Sequence, residues 1–101
     1  MNVDPELVEA SDIEICASGF DNLLLSAEQQ NLRDYYEMLI EIKAPKCAAI
    51  IKELIDWVDG GKNDDPFEIV LADKSRYHDL WRKYDDASCE EEPQELVKAF
   101  E

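Results

Sequence analysis

Asp34, Glu37 and Glu41 stand three and four residues apart. On a helix that spacing puts the three carboxylates on one face, along about 10 Å at 1.5 Å rise per residue. Glu53, Asp56 and Asp59 repeat the pattern, and Asp85, Asp86, Glu90 and Glu91 supply a third acidic stretch. The chemistry available to such rows is attraction of a basic surface. Phosphates along one DNA strand are about 3.4 Å apart axially, so a single carboxylate row is sparser than a strand. Two rows on adjacent helices, supplemented by the third stretch, approximate part of a duplex edge. Compensation within the rows is partial. Arg33 is placed to reach Glu37 and Lys52 to reach Asp56, whereas Asp34 and Glu41 have no local partner.

Other constellations fail on spacing. His78 is the only histidine, which excludes a multi-histidine metal centre. Cys16, Cys47 and Cys89 form no Cys-x-x-Cys pair, and nothing local sets any of them beside His78 as a nucleophile pair. Cys16 and Cys47 read as small buried hydrophobes and all three as reduced thiols. A calcium loop counted from Asp59 puts Gly61 third, Asp64 sixth and Val70 twelfth, so it lacks the required ligands and glycine. Gly60-Gly61 has no Walker lysine and hydroxyl after it. The expectation is a binder, not an enzyme, with no metal and no cofactor.

Charge supports the same view. Twenty-five acids face ten bases in 101 residues, a net charge of −15. Residues 1–42 carry a net −9, residues 43–83 are balanced, and residues 84–101 carry −6. Such a chain is repelled by nucleic acid and anionic membranes, so its electrostatic partner should be basic. DNA-binding proteins are the largest class with a dedicated basic surface. No apolar run approaches the roughly 18–20 residues of a membrane span, and the N-terminal residues do not read as a secretion signal. A cytoplasmic location is expected; whether the chain pairs with itself is left open.

The rows need helices to carry them. Residues 1–101 read as one all-α domain, a bundle of four or five helices around a central antiparallel hairpin. Asp4-Pro5 starts a helix that Gly19 can end, and a short segment covers residues 20–25. Ser26-Ala27-Glu28-Gln29 is a capping box for a helix reaching about Lys43, with Leu32, Tyr35, Tyr36, Leu39 and Ile42 inward. Pro45 restarts the chain, with Cys47, Ile50, Ile51, Leu54, Ile55 and Val58 on the apolar stripe and Gly60-Gly61 at the end. The tight Ala44-Pro45 break favours the hairpin. Residues 60–66 read as a polar loop, and residues 66–71 as either a helical turn or an extended stretch. Tyr77, Leu80, Trp81 and Tyr84 define a helix over about residues 73–84, and Pro93 opens a last short one with Leu96, Val97 and Phe100 apolar.

Two segments carry a resemblance. Ser18-Gly19-Phe20-Asp21-Asn22-Leu23-Leu24-Leu25-Ser26 and Leu39-Ile40-Glu41-Ile42-Lys43-Ala44-Pro45-Lys46-Cys47-Ala48-Ala49-Ile50 are similar to the paired signatures of the DNA mimic protein 19 family. Residues 77–84 resemble its late tyrosine-containing helix and residues 95–100 its closing segment. Ser18 and Lys43 stand where that family usually has glycine. The resemblance implies an acidic helical protein that occupies the DNA-binding surface of a transcription factor or another basic DNA-binding protein. It assigns no individual residue. The alternative is an immunity- or antitoxin-type inhibitor of a basic nuclease toxin. Asp34, Glu37, Glu41, Glu53, Asp56, Asp59, Asp85, Asp86, Glu90 and Glu91 are the candidate contacts.

Overall fold

The computed structural model describes residues 3–24, 29–61 and 65–101. Residues 26–28 of the capping box and the middle of the 60–66 loop lie outside them. Every regular element among the described residues is helical: α1 (Pro5–Ser18), a 3₁₀ turn (Asp21–Leu24), α2 (Gln29–Glu41), α3 (Pro45–Gly60), α4 (Pro66–Leu71), α5 (Lys74–Glu91), α6 (Pro93–Leu96) and a closing 3₁₀ turn (Val97–Phe100). The all-α expectation holds, with four long helices and two short ones.

The Asp4 carboxylate accepts from the Glu6 and Leu7 amides and caps α1. The helix ends at Gly19, which has φ +81°. A side chain there would be strained twice: the left-handed backbone disfavours a Cβ, and that Cβ would lie 2.6 Å from the Tyr77 hydroxyl. Tyr77 is held close because its hydroxyl accepts from the Phe20 amide (2.8 Å) while donating to Asp21 (2.6 Å).

α2 and α3 form the expected antiparallel hairpin. Arg33, early in α2, reaches Asp59, late in α3, and Lys52 sits over the Tyr36 ring. The turn between them is a Schellman motif: the Ala44 amide donates to Leu39 O (2.8 Å) and the Lys43 amide to Ile40 O (3.1 Å). Lys43 therefore takes φ +65°, a conformation that glycine adopts at no steric cost. Residues 66–71, ambiguous in sequence, are helical, with Asp65 capping the Phe67 amide. Gly61 ends α3 in ordinary right-handed geometry, and its missing Cβ makes room for Ile69.

One helix boundary needs correction. The helix assigned to residues 73–84 runs seven residues further, to Glu91, because Ala87 and Ser88 continue the buried stripe of Leu80 and Tyr84 after the aromatics stop. Of the apolar residues in the last short segment, Val97 is buried and Phe100 is 45% exposed.

The extra two turns of α5 have a structural task. Ala44 cannot cap α3 with its side chain. Glu91 does so from across the bundle, accepting from the Lys46 amide (2.9 Å) and the Cys47 amide (2.7 Å). Its charge also lies at the positive end of the α3 dipole. Glu91→Ala is expected to destabilise the protein by about 1–2 kcal/mol, the range of a lost N-cap, read from chemical denaturation. A change within about 0.3 kcal/mol would mean that water replaces the cap at no cost.

A polar cluster lies inside the core. Asp12 is 2% exposed and accepts from Tyr84 (2.7 Å), Ser88 (2.8 Å) and Gln94 (2.8 Å). The Tyr35 hydroxyl bonds to that of Tyr84. Because the Tyr84 proton goes to Asp12, Tyr35 must be the donor in the tyrosine pair. Burial pushes both phenols well above their ordinary range, which keeps them protonated as donors. Phe20 packs edge-on against Tyr77 and Tyr84 beside this cluster.

Candidate partner-binding surface

Contacts along the helices fix the electrostatic layout. Asp12 meets Tyr84 and Ser88, and the Trp81 indole donates to Ile15 O at 2.7 Å, so α1 runs antiparallel to α5. Lys46 and Cys47 meet Glu90 and Glu91, while Trp57 meets Arg76, so α3 is also antiparallel to α5. The start of α1, the end of α2, the end of α5 and α6 therefore share one end of the bundle. That end carries Glu6, Glu9, Glu37, Glu41, Asp86 and Glu90, all exposed. The opposite end mixes Arg33, Lys74 and Arg76 with the exposed acids Asp21, Asp59, Glu68 and Asp73. Sequence spacing showed the acid excess of two terminal segments but not their convergence, because only the antiparallel packing brings them together.

The three candidate rows differ in what occupies them. On α2, Glu37 and Glu41 are exposed and form no ion pair among the described residues. Asp34 is half-buried, and the Gln30 amide donates to it (3.0 Å). Arg33, expected to reach Glu37, turns instead to Asp59 on α3 (2.6 Å). The cross-helix carboxylate captures the only base of the first 42 residues and leaves the α2 row uncompensated.

On α3, Asp56 pairs with Lys52 as expected (3.1 Å) and Asp59 with Arg33. Glu53 lines a groove facing α5 with Arg76 and Lys83, away from the α2 row. On α5, Asp85 and Asp86 are exposed, Glu90 pairs with Lys46, and Glu91 is the α3 cap. The α2 and α3 rows thus lie on neighbouring helices, and the α5 acids lie beyond α3. Ion pairs as exposed as these contribute about 0–1 kcal/mol each, so they shape the surface potential more than the stability.

A cleft between α1 and α5 brings together residues whose sequence positions gave no hint of proximity. Cys16, His78, Trp81, Arg82 and Asp85 line a cavity of about 270 Å³. Cys16, expected to be buried, is exposed, although its sulfur leans on the Ser88 hydroxyl (3.7 Å). Partial burial of that sulfur raises the thiol to about 11, so at neutral pH it is a protonated, weak nucleophile. His78 stacks on Trp81. Cys47 is buried, as expected, and burial pushes its thiol up as well.

A family model described as DMP19-like protein matches residues 7–101. The chain belongs to the DMP19-like family. No curated protein and no solved structure matches it. The DMP19-like match covers α1 from its third residue, every later helix that builds the acidic end, and both segments that carry the resemblance. It also gives a physical meaning to one departure in this chain. Lys43 stands at the left-handed position of the Schellman turn, where the glycine usual in the family avoids the strain of a side chain. Among the described residues, no helix of this DMP19-like chain is long and apolar enough to cross a membrane.

Proposed function

We propose that this chain binds the basic DNA-binding surface of a DNA-binding protein, competes there with DNA, and acts as a binder and not as a catalyst. The observation that carries this reading is the convergence of exposed carboxylates at one end of the bundle, with Glu37 and Glu41 uncompensated on the outer face of α2. Membership of the DMP19-like family fits a DNA mimic. The row from Asp34 to Glu41 covers about 10 Å along α2, about three phosphate steps of one DNA strand at 3.4 Å each.

The test is competition. The protein is used to capture partners from its native cell, and each purified partner is bound to labelled duplex DNA. Added protein is expected to release the duplex, with an apparent affinity that falls steeply from about 0.05 to 0.3 M salt as charge attraction is screened. A partner that holds duplex and protein together, or an affinity independent of salt, rules out mimicry. Recovery of a nuclease toxin as the partner would instead identify an immunity-type inhibitor.

A further inference from the structure

In a chain with an excess of fifteen carboxylates, Arg76 has no acidic partner within ion-pair distance among the described residues. Its guanidinium lies 4.4 Å over the Trp57 ring, between α3 and the start of α5. Stacking on an indole holds the guanidinium plane in place and leaves its N–H edge available, an arrangement suited to bidentate contact with a carboxylate. The pair borders a groove of about 660 Å³, with Lys52, Glu53 and Asp56 on its rim and Ile69 as an apolar wall. Asp56 is already occupied by Lys52.

The position is electrostatically unfavourable for the isolated helix. Lys74 and Arg76 occupy the first turn of α5, at the positive end of its dipole, and Glu90 and Glu91 occupy the last turn, at the negative end. Glu90 and Glu91 are compensated by Lys46 and by the α3 amides. Glu53 shares the groove with Arg76 but forms no ion pair with it among the described residues, so the guanidinium edge stays open. A polyanion would suit its charge locally but is repelled by the molecule as a whole. A single carboxylate on an otherwise basic partner is not.

We infer that the Trp57–Arg76 groove is a carboxylate-accepting contact that takes an acidic side chain of the DNA-binding partner, beside the basic surface that meets α2. The partner assignment rests on the DNA-mimic reading; the chemistry of the groove does not. Continuity supports it. Lys52 touches both regions, lying over Tyr36 of α2 and lining the groove, so a partner seated on α2 and α3 reaches both. Naked DNA has no carboxylate to offer, and a basic surface without a neighbouring acid would meet Arg76 with repulsion. The contact would therefore select among basic proteins.

The two indole N–H resonances give a direct test. The protein at about 0.15 M salt is titrated with acetyl-Phe-Glu-amide and, separately, with acetyl-Phe-Gln-amide. The Glu peptide is expected to move the Trp57 signal and leave Trp81, which is bonded to Ile15, in place. The Gln peptide should bind at least about tenfold more weakly, and Arg76→Gln should remove the difference. Equal response to both peptides, equal movement of Trp81, or no response at tens of millimolar overturns carboxylate recognition. With a purified partner that duplex DNA displaces, Arg76→Glu is expected to weaken binding at least about tenfold. If neutralising Asp34, Glu37 and Glu41 weakens that partner but Arg76→Glu does not, the groove is no part of the interface and mimicry stands. If no partner is displaced by duplex, mimicry fails and the partner assignment with it; the peptide titration still decides the chemistry of the groove.

Discussion

Asp12→Ala is expected to cost about 3 kcal/mol of stability, the largest single-site effect argued from this structure. The substitution strands three donors, from Tyr84, Ser88 and Gln94, around a carboxyl that is 2% exposed. A buried donor left without a partner costs about 1–3 kcal/mol. Gln94 is only partly buried and can turn to water, so the loss should come mainly from Tyr84 and Ser88. Three kcal/mol is a large fraction of the 5–15 kcal/mol typical of a domain, and it corresponds to a fall in melting temperature of roughly 12–24 °C. Asp12→Asn should be far milder, at about 1 kcal/mol. Its carbonyl keeps the bonds from Tyr84 and Ser88, and the Gln94 amide can flip to offer its oxygen to the new NH₂ group. Calorimetric melting of the two variants checks this. Equal losses would show that the charge of Asp12, not its acceptors, holds the cluster; an alanine variant within about 2 °C of the parent would show that the network contributes nothing.

Asp12 also shows where sequence reasoning stops. Helix starts were legible because Asp4-Pro5, Pro45 and Pro93 act locally, and the stripes of α2 and α3 were legible because their period is regular. Asp12 was not singled out, since nothing in residues 5–18 announces that Tyr84, Ser88 and Gln94 will surround it from more than 70 positions away. The same holds for Glu91. Its neighbours in sequence are acidic and exposed, so it read as one more surface charge, yet it supplies the cap that α3 lacks. The available clue was Ala44, a poor N-cap before Pro45, which required an acceptor from elsewhere. Arg33 went astray for a similar reason. Spacing along one helix gave it Glu37, while packing between helices offered Asp59. Local periodicity fixed which residues are exposed; pairing across helices decided which of the exposed charges remain open.

That distinction sets the second large effect. Neutralising the α2 row as Asp34→Asn, Glu37→Gln and Glu41→Gln is expected to lower affinity for a DNA-competing partner at least tenfold, about 1.4 kcal/mol. Fold stability should be unchanged or slightly higher. The like-charge neighbours at positions 34, 37 and 41 repel by about 0.2–0.5 kcal/mol per pair. Glu41 also ends α2, where a negative charge opposes the helix dipole. Asn at position 34 keeps an oxygen for the Gln30 amide. A change of net charge alone would weaken any electrostatic complex, so the comparison set must remove the same charge elsewhere. Asp65→Asn, Glu68→Gln and Asp79→Asn does so from exposed positions in the balanced stretch of residues 43–83, away from the acidic end and outside the groove that Trp57 borders; Asn at position 65 still caps α4. Both triple variants carry −12 in place of −15. If the acidic end is the contact surface, the second set should lose less than about threefold, most of it in the association rate and abolished by salt. Equal losses from the two sets would mean that the partner reads total charge, and the α2 row would no longer qualify as a site. A larger loss from the second set would move the interface to the α4–α5 side of the bundle.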